Sequence, residues 1–253
     1  MYREPIDQAA LSTAIHPWVL DLREETGSTN ADAARAAADG HPEGLVIIAE
    51  SQVAGRGRMG RSWVSPPRAG LAMSILLRPP VEIARWGWLP LLTGLALTDV
   101  VPGSGLKWPN DLLIDGRKCA GILVEAVPAA SRAATGEGAA IVGIGLNVSA
   151  TEDELPPMAT SLYQQDLEID RTRLAAAVIG AFKARYADWP DEDPRAAYLE
   201  RCVTIGRDVR VLLPGDRELA GVATAVDAEG RLLVRLPDGR VCPIAAGDVT
   251  HVR

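Results

Sequence analysis

The sequence predicts an α+β protein: a mixed, largely antiparallel sheet packed with helices, followed by a small all-β module. Three observations carry this. Several strand-like runs between residues 45 and 149 alternate with only a few clear helical periods. One pair of runs meets at Asp115-Gly116, the strongest short signal for an antiparallel hairpin. After about Thr204 the helical spacing disappears, and short apolar runs are separated by Gly, Pro and Asp turns. Hairpins among the strands favour α+β over a doubly wound parallel sheet.

Taken in order, residues 30–39 read as a first helix, with Ser28, Thr29 or Asn30 as N-cap and Gly40 behind it. LVIIAE (45–50) is a short apolar strand, and LAMSILLRP (71–79) is a strand ended by two prolines. Residues 82–101 are apolar at helical spacing. LLIDGRKCAGILVEAV (112–127) is the hairpin, and AAIVGIGLNVS (139–149) is a strand buried on both faces. Between them, residues 128–138 are small, polar and Gly-containing, the composition of a mobile loop. Residues 172–189 form a helix stopped by Pro190, and a short helix follows from Pro194. VRVLL, GVATAV, RLLVRL and RVCPI then build the β-module, closed as a barrel or sandwich. The expected division is 1–203 and 204–253.

Composition narrows the chemistry. The 253 residues are long enough to bury a sizeable core, and Phe182 is the single phenylalanine, so aliphatic side chains must fill it. Cys119, Cys202 and Cys242 are too scattered for a disulfide framework or a zinc pattern, as are His16, His41 and His251. No apolar run approaches the roughly 18 residues of a membrane span, and the first residues lack a signal-peptide core. A cytoplasmic protein without a membrane partner is expected.

The charge distribution is uneven. The chain has a net charge of −7, yet residues 51–81 contain Arg56, Arg58, Arg61, Arg68 and Arg78 and no acid. A local excess of this sign in an acidic chain is suited to an anion. Three of these arginines lie in AGRGRMGRSW, interleaved with Gly55, Gly57 and Gly60. Glycine lets backbone approach a ligand, and guanidinium grips phosphate or carboxylate through two donors. An extended loop would turn Arg56 and Arg58 to one side. The glycines also spell G-x-G-x-x-G, but a dinucleotide site needs a helix next, and Pro66-Pro67 forbids one. No Gly-Lys-Ser/Thr follows, so this is not a Walker A loop.

GRGRMGRSW (55–63) resembles the GRGRxGRxW loop of biotin–protein ligases. Four further blocks fall in the family's order: ETGSTNADA (25–33), Gln52 in ESQVAGRG, KWPNDLLIDGRKCAGILVE (107–125) and GIGLNV (143–148). The C-terminal β-module is similar to the family's SH3-like barrel. The resemblance implies a class II synthetase-like catalytic domain and an ATP-dependent reaction. Biotin and ATP give biotinyl-5′-AMP, and biotin then passes to a lysine of a carboxylase's biotin carboxyl carrier domain. It further implies that Ser28, Thr29, Asn30 and Gln52 hydrogen-bond the ureido ring and neighbouring groups, that the Gly121 backbone approaches the ring, and that Arg56, Gly57 and Arg58 also bind biotin. Lys118 would bridge the biotin carboxylate and the α-phosphate, with Lys107 in support. Arg58, Arg61, Trp63, Asn110, Lys118 and Asn147 would hold ATP, and Asp111 would hold Mg²⁺ or orient a lysine. Read without the resemblance, Lys118 is an ordinary solvated hairpin lysine, Ser28 to Asn30 a helix cap, and Asp111 a turn residue.

Other readings stay open. A lipoate–protein ligase uses related acyl-adenylate chemistry but lacks the GRGRxGR loop and the KWPND block. A non-catalytic biotin- or nucleotide-binding regulator would keep the same pocket. A nucleic-acid-binding module would use the arginines with Trp63 but needs a broader basic face. Some ligases of the family carry an N-terminal repressor domain. Some two dozen residues precede the first matched block, too few for a helix-turn-helix domain, and the acidic balance disfavours DNA. A monofunctional ligase, monomeric or weakly dimeric, is expected.

Overall fold

A helix that periodicity does not announce opens the fold: α1, Gln8–Ile15, capped by the Asp7 carboxylate, which accepts from Ala10 N. The structure, a computed structural model, describes residues 2–128, 138–213, 215 and 217–252. The loop expected to be mobile at 128–138 lies, for residues 129–137, outside them. After α1 come β1 (Val19–Thr26), α2 (Thr29–Ala38), β2 (Leu45–Gln52) and β3 (Gly70–Leu77). A 3₁₀ turn over Ile83–Trp88 leads into α3 (Leu89–Val100), then β4 (Ser104–Lys107), β5 (Asp111–Ile114), β6 (Arg117–Val127) and β7 (Ala139–Asn147). Two helices follow, α4 (Arg171–Asp188) and α5 (Arg195–Arg201). The single helix expected over 82–101 is thus divided, because Pro90 can sit in the first turn of α3 but not inside a helix.

Strands β1 to β7 form one sheet in the order β1-β2-β3-β7-β6-β5-β4. Only β1 and β2 run parallel; every other pair is antiparallel. The mixed, largely antiparallel sheet is therefore as expected. Asp115 (φ 50°) and Gly116 (φ 74°) make the β5–β6 turn, both left-handed as a two-residue hairpin requires. Edge strand β1 escaped sequence reading because VLDLREET places charges on a strand that is half-exposed along most of its length.

The two faces of this sheet differ, and the difference creates the site. One face packs on α1, α3, α4 and α5 around a large aliphatic core that includes Trp88, Trp108 and Phe182. Among the described residues, the helix that covers the other is α2, over Leu45, Ile47, Leu76, Ala139 and Ile141. Side chains on a strand alternate between faces. Following that alternation beyond α2, Leu76 gives way to Ser74 and Ala72 on β3, and Ile141 to Gly143 and Gly145 on β7. Where the helix stops, the sheet presents small residues.

The last five strands are β8 (Asp208–Leu213), β9 (Arg217–Val226), β10 (Leu232–Arg235), β11 (Val241–Ile244) and β12 (Asp248–His251). They form an antiparallel sheet in the order β11-β10-β9-β8-β12, bulged between Leu233 and Val234. Its β9–β10 turn lies against the larger sheet. Trp88 Nε1 donates to Ala228 O (2.9 Å), and Trp108 Nε1 donates to Gly230 O (3.1 Å). A second junction is polar. Trp108 N donates to Thr204 Oγ1 (3.1 Å), which lies 3.0 Å from His251 Nε2. The hydroxyl accepts from Trp108 N and shares a hydrogen bond with His251 Nε2, whose direction is set by the imidazole tautomer. Burial pushes the His251 pKa below its usual 6.5, and Lys107 and Arg207 push it the same way. Charging His251 therefore costs more in the folded than in the unfolded chain. Its contribution to stability is whole above about pH 6.5 and is lost as the pH falls through the lower folded value. The expected result is a thermal midpoint that drops on acidification from pH 7.5 to 5, and drops less in His251→Gln, which keeps a polar partner for Thr204 but cannot titrate. Parallel curves for the two proteins would contradict this.

Candidate active site

The uncovered patch of sheet is the floor of a cleft of about 200 Å³. Gly145 of β7 is paired with Ala72 on one side and Gly121 on the other, and Gly121 with Asp111. Two residues back along β7, Gly143 is paired with Ser74 and Leu123. A side chain at these glycines would collide with what now covers them: Asn30 at Gly143, and the Trp63 indole at Gly145. The alternate glycines of GIGLN are thus a space requirement, because two functional side chains lie directly on the backbone.

One end of the cleft is neutral and polar. Ser28 caps α2, so the helix N-terminus and its partial positive charge open onto the cleft. Gln52 Oε1 accepts from Thr29 N (2.8 Å) and Thr29 Oγ1 (3.1 Å). Ser74 Oγ lies 2.7 Å from Thr29 Oγ1 and 2.6 Å from Asn30 Oδ1. Asn30 Nδ2 donates to Glu125 Oε2 (2.6 Å) and Leu123 O (3.3 Å). Both Asn30 amide hydrogens are thus committed to protein, and Asn30 fixes the cluster. With its oxygen occupied, Gln52 keeps Nε2 as a donor. Sequence reading missed Ser74 and Glu125. The signal for Ser74 was present: it is the polar residue in an otherwise apolar strand, and it is fully buried.

The other end is cationic. The Arg-Gly loop folds back as a small hairpin, with Gly57 N donating to Arg61 O (2.6 Å) and Trp63 N to Gly55 O (2.9 Å). Met59 (φ 55°) and Gly60 (φ 72°) reverse the chain just beyond Arg58. Its three guanidiniums consequently meet three environments. Arg56 is exposed and makes no ion pair among the described residues. Arg58 Nη1 donates to Asn110 Oδ1 (3.2 Å), and Asn110 is itself held by donation from Nδ2 to Ile122 O (3.0 Å). Burial pushes the Arg58 pKa down; Asp248 and Asp111 oppose this, and Arg61 adds to it. Arg61 reaches across to Asp248 of the second sheet.

Lys118 sits between the two ends. Its backbone is held on both sides, with Lys118 N donating to Met158 O (2.8 Å) and Thr160 N to Lys118 O (2.9 Å). Its ammonium lies 2.6 Å from Asp111 Oδ1 and 5.9 Å from the Trp63 ring centroid. Asp111 Oδ1 is buried and has no hydrogen bond, so its approach to Lys118 is ionic rather than directional. Trp63, Lys118 and Pro156 also line an adjoining cavity of about 350 Å³, which contains Asn147. They stand at the boundary between the two spaces.

Of the residues expected at the site, Ser28, Thr29, Asn30, Gln52, Arg56, Gly57, Arg58, Arg61, Trp63, Asn110, Lys118 and Gly121 line the cleft. Three do not. Asn147 lines the adjoining cavity and donates from Nδ2 to Thr160 O (3.0 Å). Asp111 touches the site through Lys118. Lys107 does not reach the cleft and instead acts on His251 at the junction of the sheets.

Comparison with known proteins agrees with this geometry. Residues 26–147 match the biotin/lipoate A/B protein ligase family, and residues 204–252 match the biotin protein ligase C-terminal domain. The biotin–[acetyl-CoA-carboxylase] ligase of Mycobacterium tuberculosis is 40% identical, over 99% of this chain and 97% of that protein. The chain belongs to the biotin–protein ligase family. Within this ligase family, the Bacillus subtilis bifunctional ligase/repressor BirA is 34% identical over 90% of this chain and 73% of its own length. Among solved structures, the Aquifex aeolicus biotin protein ligase in complex with biotin and ATP superposes with a TM-score of 0.75 at 26% identity, covering 92% of this chain and 98% of that one. Full-length similarity to a named biotin ligase does not favour the lipoate reading. Among the described residues, no helix is long and apolar enough to cross a membrane.

Proposed function

We propose that this protein is an ATP-dependent biotin–protein ligase. It makes biotinyl-5′-AMP and transfers biotin to a lysine of a biotin carboxyl carrier domain. The observation that carries the reading is the polarity of the cleft: a fixed neutral polar cluster at one end, three arginines at the other, Lys118 between them, and a glycine floor on which Asn30 and Trp63 lie. Biotin has the matching polarity, with a ureido ring that both donates and accepts hydrogen bonds and a carboxylate at the far end of its chain. Ser28, Thr29 and Gln52 take the ring, with Asn30 and Ser74 holding them in place.

In the first step a carboxylate oxygen of biotin attacks the α-phosphorus of ATP, and the bond to the bridging oxygen of pyrophosphate breaks. Two anions must approach, so catalysis consists chiefly of placing positive charge between them and on the leaving group. Lys118 lies where carboxylate and α-phosphate meet, and Arg56, Arg58 and Arg61 lie toward the departing pyrophosphate. Trp63 and the adjoining cavity with Asn147 take the adenine. In the second step the acceptor lysine's amine attacks the acyl carbon and AMP leaves with the bonding electrons. Residues 1–203 form the catalytic unit, and residues 204–253 support its loop.

Asp111 is a carboxylate with an oxygen lacking a hydrogen bond beside Lys118, and the described residues gather no group of three or more His, Cys, Asp or Glu. That donor set fits Mg²⁺ held mainly by phosphate oxygens with one protein carboxylate, where the ion would add charge neutralisation to the phosphates. A cytoplasmic location is consistent with the free cysteines. The test is biotin-dependent exchange of labelled pyrophosphate into ATP, followed by labelling of a carrier domain. Exchange with biotin and not lipoate is expected. Exchange with lipoate alone, or none with either, would overturn the reading in favour of a lipoate ligase or a non-catalytic binder.

A further inference from the structure

The C-terminal sheet touches the Arg-Gly loop through Asp248, the first residue of β12. Arg61 Nη2 donates to Asp248 Oδ1 (3.0 Å), and Nη1 lies 3.0 Å from Oδ2, a two-pronged pair. Arg61 Nε also donates to Arg58 O (3.3 Å), so the guanidinium that grips the C-terminal sheet braces the loop backbone beside Arg58 as well. From the other side, Arg58 is tied to Asn110. The loop is therefore fastened over the cleft at two points, one on each sheet, and Trp63 lies on the floor two residues beyond the C-terminal fastening.

We propose that Asp248 is a positioning residue of the ligase: it holds Arg61, and through it the loop, closed over the bound acyl-adenylate. The proposal rests on the ligase reading and assigns the C-terminal sheet a part in it. Asp248 reaches no floor residue of the cleft, so it acts only through Arg61 and the loop. The carboxylate also faces Arg58, whose charged form it favours against burial. An acyl-adenylate is lost to water when its cover opens, so the expected effect falls on retention of the intermediate rather than on its formation. The pair is half-exposed, with 56% and 39% of the two side chains accessible, which sets the size of the effect at about two- to fivefold.

The experiment compares wild type, Asp248→Asn and Asp248→Glu. Each is loaded with labelled biotin and ATP, and release of biotinyl-AMP is followed without acceptor, alongside the rate of pyrophosphate exchange and the thermal midpoint. Asp248→Asn is expected to release the intermediate two- to fivefold faster, at an unchanged exchange kcat and midpoint, and Asp248→Glu to restore retention. Limited proteolysis of the loop should quicken in Asp248→Asn alone. Unchanged release in Asp248→Asn overturns the proposal, as does a loss of exchange kcat equal to the gain in release. If wild type catalyses no exchange, the ligase reading falls instead, and the two failures are distinguishable.

Discussion

Replacing Lys118 with alanine is expected to slow biotin-dependent pyrophosphate exchange by about 10²–10³-fold, the usual cost of one preorganised electrostatic contact. The dissociation constant for ATP should change by less than about tenfold. The separation follows from where the ammonium sits. It is 2.6 Å from Asp111, at the junction of the polar and cationic ends, on a strand whose backbone is bonded on both sides. A charge there meets the carboxylate and the phosphate most strongly when they approach each other, which is the transition state. On the proposed reading three arginines also face the ATP phosphates, so ground-state binding survives. Exchange kinetics under saturating ATP, with ATP binding measured by calorimetry, check this. Comparable losses in both would make Lys118 a binding residue only.

A methyl group at Gly143 is expected to raise the KM for biotin by about 10²-fold while the fold remains intact. The added carbon would occupy the position of the Asn30 side-chain amide. Asn30 would move, taking a partner from the fully buried Ser74, a loss of about 1–3 kcal/mol, and breaking its bond to the exposed Glu125. Thr29 and Ser74 would lose the contact that fixes them beside Asn30, and the ring-binding end would lose its geometry. The KM for ATP, bound at the other end, should move little. Equal increases in both constants in Gly143→Ala would show a general collapse of the cleft and contradict the division into two ends.

Much of this site was legible in the sequence because its chemistry is concentrated in short blocks. The Arg-Gly loop reports its own charge and freedom, and Asp115-Gly116 reports the hairpin that carries Lys118. What could not be read is which residues face one another. Ser74 and Asn30 are 44 residues apart, and Arg61 and Asp248 are 187 apart. No local pattern encodes such a pairing. Lys107 and Asn147 belong to recognisable blocks, yet their surroundings could not be read from those blocks. Lys107 is carried by β4 to the junction with the second sheet, and Asn147 ends β7 with an amide hydrogen given to Thr160. The fold divides similarly. Runs that are apolar throughout declare themselves, whereas β1, α1 and β12 depend on neighbours for their burial and carry weak periodicity.

The central claim is that a cationic loop neutralises two repelling reactants and then shields their product. The most direct test is a quenched single turnover of Arg56→Ala/Arg58→Ala with labelled biotin and ATP, measuring the rate at which biotinyl-AMP appears and the rate at which it is lost in the absence of acceptor. Slower appearance together with faster loss, each by at least about tenfold, is the predicted result. Appearance and loss both at wild-type rates would contradict it.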